Sequence, residues 1–462
     1  MSRTFTTVDY EATLNQTVRL GDCLPPDHLA RFIVDVIAQL DWAPIYGRYA
    51  PRGGAPYAPE LLFGLLVYGY ATGTFSSRKI ERATYEAAPF RFIAGNRHPD
   101  HDTLATFRKT FLPELHDLFV QVLLLAQEMG VLKLGTISID GTKIHADASK
   151  SHAVSYKRLL ELEAHLRAEV EALFALGAQA DRGSLPDGLV VADEIALREE
   201  RLRRLAEAKG VLQARAKERE ALEQAEYEAK VREREAKAQR RGKPSRGRPP
   251  TPPTPGPRDD DQYNFTDPDS RIMKNSTDKG FDQHYNAQVA VDQESLLIVG
   301  HARSNHANDQ AEVAPTVAAI PPALGTPEAA ALDHGYFSAA NIETLEECGI
   351  EPYIATGREP HHQSWEVYFA GVPDPPADDA SAQEKMAYKL KTAVGQAIYR
   401  LRKCTVEPVI GIVKEVLGFH QFSLRSEAAA AGEWCLVYLA FDLKRLHRLM
   451  VGEVRPATGV AP

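Results

Sequence analysis

The sequence predicts a mixed α/β protein, led by an all-helical N-terminal domain and interrupted by a charged helical-hairpin insertion. Three observations predict it. Apolar residues recur at three-four spacing up to about residue 130. From Leu134 onward, short runs alternate at strand period and are interleaved with helical stretches. Between 152 and 262 lie two highly charged helical stretches and a proline-rich tail. The implied domains are residues 1–130, a mixed α/β domain over 131–455, and the insertion 152–262 within it.

The first helix runs from His28 to Leu40, with Leu29, Phe32, Ile33, Val36, Ile37 and Leu40 on one face and Asp27 as its cap. The second, Pro59 to Tyr70, is apolar on most sides and therefore buried. A third follows Ser76-Ser77 and carries Arg78, Lys79 and Arg82. A fourth runs from Thr103 to Met129, with Leu104, Phe107, Phe111, Leu115, Leu118, Phe119 and Val122 inward. Helix breakers from Gly95 to Pro99 separate the last two, which fits either a helix-turn-helix or a plain helical bundle.

Beyond Leu134, Ile137 and Ile139 alternate with Thr136, Ser138 and Asp140 in a first strand. Further strands are expected at 285–291, 296–301, 329–333 and 352–356, with Asp292 to Ser295 as a hairpin turn. Helices are expected at 309–320, 338–348 and 381–417. In the insertion, helices at 154–176 and 193–241 flank the turn Gly183 to Gly188. The following TPPTPGP can be neither helix nor central strand.

The chain has 462 residues and a formal net charge of −9, a balance that by itself argues against a nucleic-acid partner. The charge is unevenly spread, however. Residues 201–250 carry 16 basic and 8 acidic residues, whereas 251–400 carry 10 basic and 23 acidic. The run 237–248 has six basic residues and no acid. Four scattered cysteines, with no C-x-x-C pair, rule out a disulfide framework or a cysteine zinc site and fit a reducing cytoplasm. No apolar stretch is long enough to span a bilayer, so a chain neither secreted nor membrane-bound is expected.

Three carboxylates stand out by position: Asp140 and Asp333 at the ends of expected strands, and Glu407 in the late helical region. Gathered together, they would make an all-oxygen cluster suited to hard cations such as magnesium or manganese. Each also has a plainer reading. Asp140 and Asp333 stand in turn-like contexts, and Glu407 lies four residues from Lys403. Asp147, Asp278 and Asp309 are rivals by proximity.

Several longer words in the sequence resemble a family. Residues 27–32 (DHLARF), 68–82 (YGYATGTFSSRKIER) and 98–108 (HPDHDTLATFR) resemble the helical N-terminal domain of bacterial insertion-sequence transposases of the DDE superfamily. DGTKI at 140–144, NSTDKGFDQHYNAQ at 275–288 and ALDHGY at 331–336 are similar to that superfamily's catalytic segments. Tyr399, Arg402, Glu407 and Lys414 resemble its tyrosine-arginine-glutamate-lysine signature. The gap from Arg402 to Glu407 is one residue longer than the commonest form, so Arg402 and Lys403 both fit the arginine position. Pro408 is expected to kink or restart the helix at Glu407.

The resemblance implies a ribonuclease-H-like mixed sheet with flanking helices, and Asp140, Asp333 and Glu407 as a triad holding two Mg2+ or Mn2+ ions. It implies double-stranded DNA as partner, both the terminal inverted repeats of the element and its target. It also implies a homodimer in the synaptic complex and a bacterial, nucleoid-associated location. Lys414, Arg402, Tyr399 and Lys403 are the expected DNA contacts near the acids, and Arg78, Lys79, Arg82, Arg108 and Lys109 those of the N-terminal helices. The implied activity is metal-dependent cleavage at the element ends followed by strand transfer. The alternatives are a ribonuclease-H-like nuclease without strand transfer and a transposase-derived repressor with a silent site.

Overall fold

The computed structural model describes residues 19–50, 56–180, 189–243, 247–275, 280–357, 373–377 and 379–452. It divides into two compact units. The first holds residues 1–142, 286–422 and 428–462, and the second holds residues 143–285 and 423–427. The N-terminal helices thus share a unit with the main sheet, rather than standing as a separate domain. The second unit also begins and ends outside the 152–262 limits read from the sequence.

In the first unit, helices α1 (Leu29–Ile37), α2 (Ala43–Tyr46) and α3 (Pro59–Ala71) come first. The cap of α1 is His28, whose Nδ1 accepts the Ala30 N–H at 3.0 Å, and not Asp27. Helix α3 buries Pro59 and every residue from Leu62 to Ala71, as its all-round apolar composition requires. Next come α4 (Ser77–Glu86) and α5 (Ala88–Ile93), the latter an additional short helix ahead of the breaker segment Gly95–Pro99. The expected long helix at 103–129 is instead two, α6 (His101–Thr110) and α7 (Leu112–Glu128), divided at Phe111 just before Pro113. Pro113 lacks the N–H that a continuous helix needs and suits a first turn instead. A simple helix-turn-helix is therefore not what links α4 to α6. His98, Asp100 and His101 serve this corner: Thr84 Oγ1 lies 3.0 Å from His98 Nδ1, Asp100 accepts the Thr103 N–H, and His101 meets Glu81 at 2.7 Å.

The sheet of this unit has the strand order β6-β5-β1-β7-β8. Its strands are β1 (Thr136–His145), β5 (Phe281–Asp292), β6 (Ile298–Ser304), β7 (Ala329–Leu332) and β8 (Glu351–Ile354). β5 and β6 pair antiparallel, whereas β1, β7 and β8 pair in parallel, so the sheet is mixed. The ends of β1 and β5 continue into the second unit. Around the sheet run α10 (Val313–Ala318), α11 (Ala339–Glu347), α12 (Ala382–Lys389), α13 (Ala393–Gly411) and α14 (Glu427–Val451). The sequence reading stopped at Leu417 and missed α14, whose core segment from Glu433 to Leu443 is buried at every position.

Helix α14 ties the N-terminal helices to the sheet. Fully buried Glu433 accepts the Tyr70 hydroxyl at 2.8 Å, Arg108 Nη1 donates to that hydroxyl at 2.7 Å, and Arg108 lies 3.6 Å from Glu433. Lys444 donates to the Ala71 carbonyl at the end of α3, and His447 meets the Asp27 carbonyl. Asp442, also fully buried, accepts the Ile298 N–H at 2.9 Å, while its Oδ2 has no partner.

The second unit contains β2 (Ala153–Ser155), α8 (Tyr156–Ala180), α9 (Val191–Arg241), β3 (Gln262–Asn264) and β4 (Arg271–Lys274). β2 pairs antiparallel with β3, and β4 with residues 281–284 of β5. The helices meet along a thin seam of Leu159 and Leu166 against Leu205, Ala208 and Leu212, closed by Tyr263. Arg198–Glu169 (2.7 Å) and Lys209–Glu163 (2.8 Å) flank that seam. The expected turn at 183–188 lies outside the described residues.

Burial drives the Asp442 carboxyl well above the usual carboxylate range. An acid whose folded-state pKa is raised contributes most below its unfolded value, and that contribution is lost as pH climbs toward the folded value. Asp442→Asn should therefore melt at a higher temperature than the parent at pH 8, with the advantage shrinking toward pH 4. Thermal melts across that range check it, and a pH-independent difference would contradict it.

Candidate active site

The site grows from the parallel pairing of β1 with β7. The last register pair is Ile139 with Leu332, so Asp140, midway along β1, and Asp333, just beyond the end of β7, follow side by side. Adjacent strands are about 4.8 Å apart, and paired residues of neighbouring strands face the same way. Each acid is partly satisfied by its own turn: the Gly141 N–H donates to Asp140 Oδ1 and the Gly335 N–H to Asp333 Oδ1, both at 2.8 Å. One oxygen of each is thus held by backbone, which aims the carboxylates.

Helix α13 brings the third acid. Thr405 on its buried face donates to the Ser138 hydroxyl at 2.8 Å. Gln293 donates to the same hydroxyl at 2.9 Å and to the Ile398 carbonyl at 3.2 Å. These bonds lock the helix against β1. Arg402, nearly buried, then reaches Asp140 Oδ2 at 3.1 Å and Glu407 Oε1 at 3.4 Å. Lys403 points to the exposed side. Of the two residues that fitted the arginine position, Arg402 is the one among the acids. Tyr399 carries the Arg402 guanidinium 6.0 Å from its ring centre.

Pro408 does not break the helix. α13 runs on to Gly411 and passes into a single π turn, Ile412–Val416. Proline's missing N–H removes one helical bond, and the wider turn follows within one helical repeat. The helix neither restarts nor ends at Glu407. Lys414 sits in the π turn, half-buried, with Nζ 3.2 Å from Thr142 Oγ1 on β1, and burial lowers its pKa.

Burial pushes the Asp140 carboxyl up to about 6. The Arg402 guanidinium opposes that rise, and the neighbouring Asp333 charge adds to it. Crowded carboxylates with one arginine between them form a donor set of oxygens only, which fits hard divalent cations. Asp140, Asp333 and Glu407 are the residues that could hold such ions.

The sequence reading left Asp309 only as a rival by proximity, and the fold places it at the edge of this cluster. Its Oδ1 accepts from Asn286 Nδ2 (2.8 Å) and Gln288 Nε2 (2.9 Å) on β5. Tyr336, one residue after Gly335, donates its hydroxyl to Gln288 Oε1. These polar side chains lie within the NSTDKGFDQHYNAQ and ALDHGY words, and N-A-Q at 286–288 was the available signal. Of the other rivals, Asp147 belongs to the second unit, where it pairs with Arg425 at 2.8 Å, and Asp278 lies outside the described residues.

The expected DNA contacts fall into two kinds. Arg78, Lys79 and Arg82 on α4 and Lys109 at the end of α6 are exposed, with Arg82 paired to Glu86 at 2.7 Å. Arg108 is not on the surface. Only 7% exposed and engaged with Tyr70 and Glu433, it neutralises a buried carboxylate and is withdrawn from the DNA-contact set. In the basic run 237–248, residues 244–246 lie outside the described residues, and Lys243 and Arg248 are exposed.

Comparison with known proteins bears on what this geometry is for. Residues 18–110 match the family model described as Transposase domain (DUF772), and residues 250–443 match the model described as Transposase DDE domain. Both matches support a DDE-type transposase. The second match includes Asp333, Glu407 and Lys414, and Asp140 precedes it. No curated protein and no solved structure matches the chain. Among the described residues, no helix is long and apolar enough to cross a membrane.

Gly141 separates the first acid from β5. A Cβ there would overlap Gln288 Nε2 and lie 2.9 Å from Asp309 Oδ1. Overpacking of this kind costs about 1–3 kcal/mol. Gly141→Ala should lower the stability measured by urea denaturation by that order. A neutral effect would mean that Gln288 swings away freely.

Proposed function

We propose that the chain is a DNA transposase with a ribonuclease-H-like catalytic core, cutting at the ends of its own element and joining the freed 3′-hydroxyl to target DNA. The observation that carries this reading is the side-by-side placement of Asp140 and Asp333 on paired parallel strands, linked through Arg402 to Glu407. The two family matches supply the reaction class.

In this reading Asp140, Asp333 and Glu407 hold two Mg2+ or Mn2+ ions. Bound there, the ions supply activation of a water or 3′-hydroxyl and stabilisation of the leaving oxygen. The protein's own side chains do the rest. Backbone donors at Gly141 and Gly335 hold the aspartates in one orientation. Arg402 balances the carboxylates against one another before loading. Lys414, held against Thr142, offers a cation to a phosphate of the element end. Tyr399 supports the Arg402 guanidinium, and exposed Lys403 faces outward for a backbone phosphate. Arg78, Lys79, Arg82 and Lys109 provide phosphate contacts from the N-terminal helices. Two element ends must be held at once, so the active form in this reading is a homodimer acting on double-stranded DNA in the bacterial nucleoid.

The test uses purified protein, a duplex carrying the inverted repeats that flank the reading frame, and Mg2+ or Mn2+. Cleaved ends and joined products are expected. Cleavage without joining would leave a nuclease, and binding without cleavage a repressor. Asp140→Ala, Asp333→Ala and Glu407→Gln should each reduce cleavage to background while DNA affinity in a shift assay is retained.

Arg78→Ala and Lys79→Ala should weaken DNA binding uniformly across sequences. Each should flatten the slope of log affinity against log salt by about one unit. Arg108→Ala should leave that slope unchanged and lower the melting temperature instead. A slope change in Arg108→Ala would return it to the DNA surface.

A further inference from the structure

Away from the acids, three side chains from distant parts of the chain converge: His116 on α7, His301 on β6 and Cys435 on α14. One ligand atom from each lies within 4.8 Å of the other two. Cys435 is 2% exposed and carries a free thiol. His301 presents a buried Nε2 with no hydrogen-bond partner among the described residues, a cost that a folded chain rarely leaves unmet. Its ring is walled by Phe119 at 5.2 Å and Tyr438 at 5.1 Å, and burial holds the imidazole neutral, with its pKa down to about 3. The His116 ring stands 5.9 Å away and nearly perpendicular, on a residue open to solvent.

The chemistry of this set differs from that of the active site. Two imidazoles and a thiol select a borderline or soft ion, whereas magnesium and manganese prefer oxygen. Zinc bonds of about 2.0–2.3 Å place neighbouring tetrahedral ligands roughly 3.4–3.6 Å apart. With the three atoms within 4.8 Å of one another, reaching that spacing needs a contraction of at most about 1 Å. Binding would displace the Cys435 proton to solvent, and the fourth position, on the open His116 side, would go to water.

We propose that His116, His301 and Cys435 form a structural zinc site, separate from the acidic cluster, that pins α7 to β6 and α14. Its ligand set would fasten the N-terminal helices to the sheet that carries the acids.

The full chain is stripped with a chelator and titrated with Co2+ and with Zn2+ alone, alongside an Asp140→Asn/Asp333→Asn variant in which the acidic cluster is disabled. In both proteins, one equivalent of Co2+ should give tetrahedral d–d bands and a thiolate-to-cobalt charge-transfer band. Zn2+ should abolish these bands and raise the melting temperature. His116→Ala, a surface change that spares the core, should weaken Zn2+ affinity at least tenfold. Cys435→Ser should lose the charge-transfer band. The proposal is overturned if no charge-transfer band forms, or if Zn2+ affinity is unchanged in His116→Ala. It is equally overturned if the cobalt signal disappears in the double aspartate variant, since the ion would then belong to the acidic cluster.

Discussion

Two negative charges side by side are the constraint around which the first unit is arranged. Parallel pairing of β1 with β7 leaves Asp140 and Asp333 in adjacent positions, where burial of Asp140 and the neighbouring Asp333 charge both oppose ionisation of Asp140. The surrounding structure answers that cost piece by piece. Backbone N–H groups take one oxygen of each, Arg402 supplies a cation, and Ser138, Thr405 and Gln293 hold the arginine-bearing helix in place. Arg402 has a second consequence. Because it already neutralises part of the cluster, any ion that the proposed function places there would compete with a tethered cation as well as with protons.

The same logic operates at Glu433, where a carboxylate with no exposure is neutralised by Arg108 through the Tyr70 hydroxyl. Here an arginine that reads as a surface cation in sequence is an interior one in the fold. The two arginines show how similar residues divide between chemistry and architecture. Arg402 faces acids that reach the surface, with Glu407 half-exposed, and Arg108 faces one that does not.

Much of the fold and the placement of the three acids was legible in the sequence, and the reasons for the rest are specific. Strand β1 was readable because Ile137 and Ile139 alternate with polar neighbours, and α3 because it is apolar all round. Helix α14 was not read from the sequence, although its centre from Trp434 to Phe441 is as apolar as α3. Strands β2, β3 and β4 are too short to carry a pattern, and Phe111-Leu112-Pro113 hid a helix boundary inside an otherwise continuous apolar stripe. Asp309 stayed ambiguous because its partners, Asn286 and Gln288, lie on another strand. The scattered cysteines were read as excluding a cysteine zinc site, yet spacing carries no information about His116, His301 and Cys435, which only the packing of α7, β6 and α14 brings together.

The π turn at Ile412–Val416 works as a phase shifter between Glu407 and Lys414. A helix residue turns by about 100°. Deleting one residue from the turn would rotate everything after it by that amount, moving Lys414 off Thr142 while Glu407 stayed beside Arg402. The lysine's aim can therefore drift or be corrected by single-residue insertions and deletions without disturbing the acids. The spacing between Glu407 and Lys414 is thus, in the helix, an adjustable offset.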